Sequence, residues 1–306
     1  MDPASALRGA RIFHVNVNCS NLERSREFYV EGCGLAEGVR TTPEATQSGI
    51  AFGLDRARWD AWILLGAKGF EGGAVDLLEW QEPRPTGAAP RTLHDAGFQR
   101  IGVTVADLDV AISNITAHGG EVWSAPNVHH LPDGGEIRIV FANDPDGVAV
   151  EVVEGARPGL SFVSVACADL ERSVDFYRDL GFVERARFPS ASESGSHLHI
   201  EGAVAMREVL MTAPGGGDVN LMLVGFDQPA VQPGVPRPAN ALGMWRCALL
   251  VADLDRAVAA LRSADVELLS DPQSMAMGPG LPELRFVCLR GPDYEVIELI
   301  EEPRSD

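Results

Sequence analysis

The sequence lacks the short motifs that mark several large enzyme classes. It has no Gly-x-Ser-x-Gly nucleophile elbow, no phosphate-binding loop and no Gly-x-Gly-x-x-Gly fingerprint. A covalent serine hydrolase, a P-loop enzyme and a Rossmann-type dehydrogenase are therefore not indicated. Cysteine is also scarce. The five cysteines include no Cys-x-x-Cys pair, and their odd number favours reduced thiols over a disulfide framework.

Basic residues are few relative to acidic ones. Lys and Arg total 25 against 44 Asp and Glu, which gives a formal net charge of -19 at pH 7. This charge repels nucleic acid and anionic membranes, so we expect a small-molecule ligand and neither of those partners. The first residues lack a basic segment followed by an apolar run, which favours a cytoplasmic protein. We expect a monomer or a homodimer.

Two strings of the sequence occur twice at nearly the same spacing. Residues 21–29 (NLERSREFY) return as residues 169–177 (DLERSVDFY), an offset of 148. Residues 107–111 (DLDVA) return as 253–257 (DLDRA), an offset of 146. Such repetition predicts a two-part unit that is used twice.

Each repeated string begins a helix that follows a short strand. Asn21, Asp107, Asp169 and Asp253 are good N-cap residues, and each is followed by Leu and an acidic residue that favours the first helical turn. Each unit also ends in a predicted strand, and proline-rich linkers separate the units. The pattern predicts an α+β fold of four β-α-β-β-β modules at about residues 11–82, 99–154, 160–226 and 242–302.

These motifs together resemble the vicinal oxygen chelate superfamily, which includes glyoxalase I, bleomycin resistance proteins and type I extradiol dioxygenases. The resemblance rests on the capped helix that ends in Phe176-Tyr177, on Leu180-Gly181-Phe182, and on the turn Asp144-Pro145-Asp146-Gly147 before an acidic strand. It implies that modules pair into two domains, each with curved mixed sheets around a cavity. Pairing in sequence order gives domains 1–154 and 160–306, whereas pairing across the halves joins module 1 to module 4.

The resemblance also implies where a divalent metal would bind. In the family, one ligand lies on each first strand, seven residues before the helix cap, and an acidic ligand lies on each last strand. The first-strand positions here hold His14, Arg100, Phe162 and Arg246. The last-strand positions hold Asp76, Glu151, Asn220 and Glu298.

Only one of the four first-strand positions is histidine, which decides the expected chemistry. A guanidinium cannot become a metal ligand, so the C-terminal half is predicted to bind no metal. Arg246 should lie beside Glu298, and Arg100 beside Glu151. These residues either tie two strands together or bind a substrate oxyanion.

The N-terminal half keeps three residues of ligand type. His14, Asp76 and Glu151 could hold Fe, Mn, Ni or Zn, but Arg100 at the fourth position opposes a cation, so we expect no metal. Without metal, the same three residues are the catalytic candidates, with His14 as a general base oriented by Asp76. Asn16 and Asn18 share the face of His14. They would bind a substrate carbonyl or enolate, or satisfy each other as buried amides.

The sequence thus favours a metal-independent acid–base enzyme of the isomerase, lyase or cyclase type that acts on an oxygenated small molecule. Arg100, Arg246 and Glu298 are its further candidate substrate-binding residues. Two alternatives stay open: a non-catalytic protein that binds a drug or metabolite, and a metal-dependent dioxygenase or glyoxalase-like enzyme.

Overall fold

The computed structural model describes residues 2–90, 92–130 and 135–303. These residues contain the four predicted modules, preceded by a short helix, α1 (Pro3–Ala6). The strands and helices of module 1 are β1 (Arg11–Asn18), α2 (Leu22–Glu27), β2 (Ala36–Thr41), β3 (Gln47–Ser48), β4 (Arg56–Leu65) and β5 (Ala74–Glu82). Those of module 2 are β6 (Gly97–Val105), α3 (Leu108–Ala117), β7 (Glu121–Val122), β8 (Asn127–His130), β9 (Glu136–Asn143) and β10 (Ala149–Glu154).

The second half of the chain repeats the same order of elements. Module 3 contains β11 (Gly159–Ala166), α4 (Leu170–Asp179), β12 (Val183–Ser194), β13 (Ala203–Thr212) and β14 (Asn220–Gln228). Module 4 contains β15 (Gly243–Val251), α5 (Leu254–Ser263), β16 (Gln273–Met275), β17 (Leu284–Arg290) and β18 (Val296–Glu301). The predicted α+β fold of four modules is confirmed.

The predicted helix caps explain where the four longer helices begin. The side chains of Asn21, Asp107, Asp169 and Asp253 each accept a hydrogen bond from the backbone N–H three residues later, at 2.9–3.2 Å. Each bond satisfies one of the donors that a helix N-terminus leaves free. The caps therefore fix the point at which every first strand turns into its helix.

The strands form two mixed sheets, and their order corrects the predicted domains. Sheet I has the order β16-β17-β18-β15-β1-β5-β4-β2, with β3 on β4, and joins module 1 to module 4. Sheet II has the order β12-β13-β14-β11-β6-β10-β9-β7, with β8 on β9, and joins module 2 to module 3. The division into domains 1–154 and 160–306 therefore does not describe the sheets. Pairing across the halves does, because β1 lies antiparallel to β15 and β6 lies antiparallel to β11.

Three of the four first strands begin at a glycine. β6, β11 and β15 start at Gly97, Gly159 and Gly243, all of which have positive φ. Glycine adopts this backbone without strain, so it can turn the chain directly into the strand. The residues that follow include buried polar ones such as Gln99 and Arg100, which hydrophobic periodicity does not assign to a strand.

Modules 1 and 2 lie in different sheets, as do modules 3 and 4, but each of these pairs is joined by a tyrosine of the repeated string. The Tyr29 hydroxyl donates to Asp144 Oδ2 at 3.1 Å, and the Tyr177 hydroxyl donates to Glu295 Oε1 at 2.7 Å. Burial raises the pKa of both carboxyl groups to about 7. We call these two contacts the seams, since each joins a helix-end residue of one module to the last turn of the next.

The helices pack against one face of each sheet. The buried cluster beneath them includes Phe28, Ile115, Val174 and Leu254. No helix within the described residues is long and apolar enough to cross a membrane. The opposite face of sheet I is left to form a cavity.

Candidate functional site

The register of sheet I brings four predicted positions together. β1 runs parallel to β5 and pairs Asn16 with Asp76, and β15 runs parallel to β18 and pairs Ala248 with Glu298. At the centre of the sheet, His14 pairs with Ala248 across the antiparallel junction of β1 and β15. Side chains alternate along a strand, so one face carries the four residues that we call the quartet: His14, Asp76, Arg246 and Glu298.

Arg246 holds the quartet together through both carboxylates. Its Nη2 donates to Asp76 Oδ2 at 2.7 Å, and its Nε donates to Glu298 Oε2 at 2.8 Å. The Nε2 atom of His14 lies 3.3 Å from Glu298 Oε2 and 3.7 Å from Asp76 Oδ2. The imidazole therefore lies between two carboxylates that a single guanidinium bridges.

All four side chains are removed from solvent, which strengthens their electrostatic coupling. Their exposed fractions are 5% for His14, 3% for Asp76, 6% for Arg246 and 3% for Glu298. Burial alone would raise the pKa of Glu298, but the charge of Arg246, and then contacts with His14, outweigh it and lower the pKa. Burial would lower the pKa of Arg246, but Glu298 and Asp76 outweigh it and raise that pKa. Glu298 is thus ionised and Arg246 protonated at neutral pH.

The quartet forms the polar floor of a cavity of about 260 Å³ on the concave face of sheet I. Its walls are apolar or aromatic apart from Thr41. They include Phe13, Phe52, Trp59, Phe70, Phe286 and the segment Met277, Leu281 and Pro282. An apolar cavity with a few convergent polar groups is the usual form of a small-molecule site.

Several polar atoms at the floor have no hydrogen-bond partner among the described residues. They are both ring nitrogens of His14, Nη1 of Arg246 and Oδ1 of Asn16. An unsatisfied buried polar atom costs about 1–3 kcal/mol. Of these residues, His14 and Arg246 line the cavity, so this unused hydrogen-bonding capacity lies beside the space that a ligand would fill.

The two asparagines predicted beside His14 have different surroundings. Asn16 donates through Nδ2 to the backbone oxygen and to Oδ2 of Asp76, at 3.2 and 3.4 Å. Asn18 instead donates to the carbonyls of Ala239 and Ala241 at 2.7 and 2.8 Å and accepts from Trp80 Nε1 at 3.0 Å. Asn18 therefore fastens the 239–241 segment to sheet I, and only Asn16 adjoins the quartet.

Sheet II places the other predicted residues away from His14. Arg100 Nε donates to Glu151 Oε2 at 2.7 Å, and Arg100 Nη2 donates to Glu208 Oε1 at 3.0 Å. The predicted catalytic set of His14, Asp76 and Glu151 is therefore wrong as a constellation. Because module 1 pairs with module 4, Glu298 occupies the position that sequence-order pairing gave to Glu151. Arg100 likewise belongs to the second site.

Phe162 fills the sheet II position that corresponds to His14. It pairs with Gly102 across β6 and β11, just as His14 pairs with Ala248. A Cβ atom on Gly102 would lie 2.1 Å from the Phe162 ring, so the ring rests directly on the glycine backbone. The Arg100 guanidinium lies 5.6 Å from the same ring centroid. The space above the Arg100–Glu151 pair is thus occupied by the protein itself.

Some residues around both sites were not found from the sequence. Glu208, the second partner of Arg100, lies on the middle strand β13, where no family position drew attention to it. Phe52 and Phe286, which stack at 5.4 Å on the cavity wall, come from a turn of module 1 and a middle strand of module 4. Phe52 and Phe286 meet only because modules 1 and 4 pair, and no local sequence pattern predicts that pairing.

The donor set of the quartet does not fit a divalent metal. One oxygen of each carboxylate is bonded to Arg246, and a cation beside these oxygens would lie against a fixed positive charge. Arg246 also offers no lone pair at the fourth ligand position. Among the described residues, no group of three or more His, Cys, Asp or Glu side chains has an arrangement that could hold a metal ion.

Comparison with known proteins agrees with this architecture. A model of the Glyoxalase/Bleomycin resistance protein/Dioxygenase superfamily matches residues 11–152 and 159–285. The chain therefore belongs to this superfamily, the vicinal oxygen chelate group that the sequence motifs resembled.

Solved structures share the fold over nearly the whole chain. Glyoxalase I from Zea mays has 19% identity and a TM-score of 0.64, covering 95% of this chain and 92% of its own. A proposed dioxygenase from Bacillus subtilis has 13% identity and a TM-score of 0.59, covering 98% of this chain and 87% of its own. No curated protein matches the sequence. At these identities, the comparisons show the fold and leave the activity to be argued from the site.

Proposed function

We propose that this chain is a metal-independent acid–base enzyme that moves a proton on an oxygenated small molecule, as an isomerase, lyase or cyclase does. The observation that carries the proposal is the imidazole of His14. It lines the cavity floor between two carboxylates, and neither ring nitrogen is hydrogen-bonded to a described residue. Imidazole is the side chain best suited to accept a proton near neutral pH, and this one borders the space that a bound molecule would fill.

His14 is the base in this reaction. It takes a proton from a carbon next to a substrate carbonyl, and the electron pair of the broken C–H bond forms an enolate on the carbonyl oxygen. In an isomerisation, the imidazolium returns the proton to a different carbon. In an elimination, the enolate expels a group from the next carbon, and that group leaves with the proton from His14.

The rest of the quartet matches the charges that this step creates. Arg246 Nη1, which has no partner among the described residues, can donate to the enolate oxygen. The imidazolium is stabilised by Glu298 and Asp76, whose oxygens lie 3.3 and 3.7 Å from Nε2. Asn16 holds Asp76 in place, and the apolar walls keep water from competing for these contacts.

A different observation favours a second function, in which the cavity sequesters a ligand without changing it. Apart from the quartet and Thr41, the lining side chains are apolar or aromatic, and the charged groups are largely bonded to one another. Such a cavity suits simple binding as well as proton transfer. The two functions differ in one measurable property, which is exchange of a carbon-bound proton.

Hydrogen–deuterium exchange tests the proposal directly. The protein is incubated in D₂O with a panel of aryl alkyl ketones and 1,2-dicarbonyl compounds, and mass spectrometry follows deuterium at the carbon next to the carbonyl. We expect exchange at least about 100-fold above buffer, with loss of that gain in His14→Gln. Glu151→Gln, which changes the matching acid of sheet II, should retain it. A His14→Gln protein that exchanges as fast as the wild type would disprove the proposal, and ligand binding without exchange would support sequestration.

A further inference from the structure

The charge of the cavity floor indicates which class of molecule the cavity takes. This inference rests on the proposed function in one respect, since it treats the quartet cavity as the working site. Asp76 and Glu298 carry two negative charges and Arg246 carries one positive charge. Two acidic side chains of the floor therefore face a single guanidinium. Among the described residues that line the cavity, Arg246 is the only Lys or Arg.

We propose that the cavity selects an uncharged molecule that has a flat apolar body and a carbonyl-type oxygen, and that it rejects anions. An anion would bring a further negative charge to a floor that already holds two acidic side chains and is almost entirely shielded from solvent. The repulsion between like charges at contact distance is much larger there than in water. A neutral carbonyl compound meets no such penalty and becomes negative only as His14 takes its proton.

The hydrogen bonds of Arg246 support the same conclusion. Bidentate binding of a carboxylate or phosphate requires two neighbouring N–H groups of one guanidinium. Here Nε is bonded to Glu298 and one N–H of Nη2 to Asp76, so the fork formed by Nε and Nη2 is already taken by two protein carboxylates. A bound anion would have to share a guanidinium whose single charge these two carboxylates already balance.

The walls define the body of the ligand. Phe52 stacks on Phe286 with ring centroids 5.4 Å apart and an angle of 29° between the ring planes, and Phe13 stacks on Phe70 at 6.0 Å and 21°. Trp59 adds a further aromatic surface. Flat faces of this kind favour a flat partner, and a volume of about 260 Å³ suits one or two fused rings.

Two ligands of the same shape and different charge provide the test. Binding of 2-acetylnaphthalene and of 2-naphthoate is measured at pH 7.5 by quenching of tryptophan fluorescence and by calorimetry. We expect the ketone to bind at least about tenfold more tightly than the carboxylate. Equal or tighter binding of 2-naphthoate, or failure of both molecules to bind, would overturn the proposal.

Variants show whether the floor charge causes the selection. Glu298→Gln or Asp76→Asn removes one acidic group, so the ketone and the carboxylate should bind with more nearly equal affinity. Glu151→Gln is the matched control in sheet II and should keep the wild-type ratio. Cooperative unfolding shows that a variant is folded. If folded Glu298→Gln or Asp76→Asn protein keeps the wild-type ratio of ketone to carboxylate affinity, the proposal is also overturned. Because binding needs no turnover, selective binding with no deuterium exchange separates this inference from the proposed reaction.

Discussion

The two sheets have the same strand arrangement but differ in whether they leave room for a cavity. In sheet I, His14 stands across from Ala248 and leaves room for a cavity above the Arg246–Glu298 pair. In sheet II, Phe162 stands across from Gly102, and its ring covers the space beside the Arg100–Glu151 pair. The arginine–glutamate pair is common to both sheets. The residue opposite it decides whether the sheet keeps a site or closes it.

The two arginines also differ in how completely they are partnered. Arg246 has two carboxylate partners and one unpartnered nitrogen that belongs to the cavity floor. Arg100 bonds to Glu151 and Glu208 and is further held by Gln99 and Ser164. A buried guanidinium whose three nitrogens are all hydrogen-bonded within the protein stabilises the sheet. The comparison thus separates a structural arginine from one that is available to bind.

The largest expected difference between the sites is in metal binding. Arg246→His would remove the guanidinium that blocks the carboxylates and add a neutral imidazole beside His14, Asp76 and Glu298, which is a donor set for Zn²⁺ or Ni²⁺. We expect nearly one metal per chain and affinity for Zn²⁺ at least about 100-fold above the wild type.

The matched variant of sheet II should not gain a metal. Arg100→His places an imidazole beside Glu151 and Glu208, but Phe162 stands where sheet I has His14, and its ring covers the space that a metal ion would need. Metal analysis by inductively coupled plasma mass spectrometry, on protein prepared without an affinity metal, gives both answers. Stoichiometric metal in the wild type, or equal metal in the two variants, would contradict the comparison.

The second difference is in the stability that each glutamate provides. Glu298→Gln leaves Arg246 with one charged partner in a nearly dry floor, and we expect it to lower the free energy of unfolding by about 3–5 kcal/mol. Glu151→Gln should cost only about 1–2 kcal/mol, because Glu208 still neutralises Arg100. Urea unfolding of the two variants gives the comparison. If Glu151→Gln lowers the free energy of unfolding more than Glu298→Gln does, the pair in sheet II is the one that depends more on its glutamate.

The two seams should differ least in their effect on stability, since each consists of a tyrosine hydroxyl bonded to a buried carboxyl group. Asp144 and Glu295 have pKa values raised by burial to about 7, well above those of the unfolded chain. The folded state therefore binds protons that the unfolded state has released, and stability from these groups is present below about pH 4 and is lost as the pH rises to about 7. We expect a loss of about 1–3 kcal/mol for each group across that range.

Variants that cannot ionise isolate this pH dependence. Asp144→Asn and Glu295→Gln should each remove their share of the decline, so their stability relative to the wild type improves between pH 4 and 7. Chemical unfolding at a series of pH values measures the difference. If the relative stability of either variant does not change over that range, the carboxyl group concerned does not titrate there.

Local chemistry was sufficient to predict the modules, through the helix caps and the repeated strings. The positions in the quartet came from the family resemblance, whose seven-residue spacing put His14 and Arg246 on equivalent strands, and sheet I brings these two residues together. The helix caps depend on contacts between residues close in sequence, so the sequence carries them directly. The ion pairs of Arg246 with Glu298 and of Arg100 with Glu151 were likewise found where neighbouring parallel strands put them.

The pairing of modules was not readable in the same way. All four first strands have similar patterns, so the edge of β1 fits the edge of β6 or of β15 equally well on sequence grounds. The choice between them comes from packing across the whole molecule. Glu151 was assigned to the site of His14 for this reason, and the wall residues Phe52 and Phe286 were missed for the same one.

Pairing across the halves has a consequence for how the chain is made. All strands of sheet II lie between Gly97 and Gln228, so this sheet can be completed while the ribosome is still synthesising module 4. β1 must then wait with one edge open until β15 emerges, which is the condition in which nascent chains associate wrongly. The cavity of sheet I is therefore the last part of the protein to be assembled, although His14 is among the first residues translated.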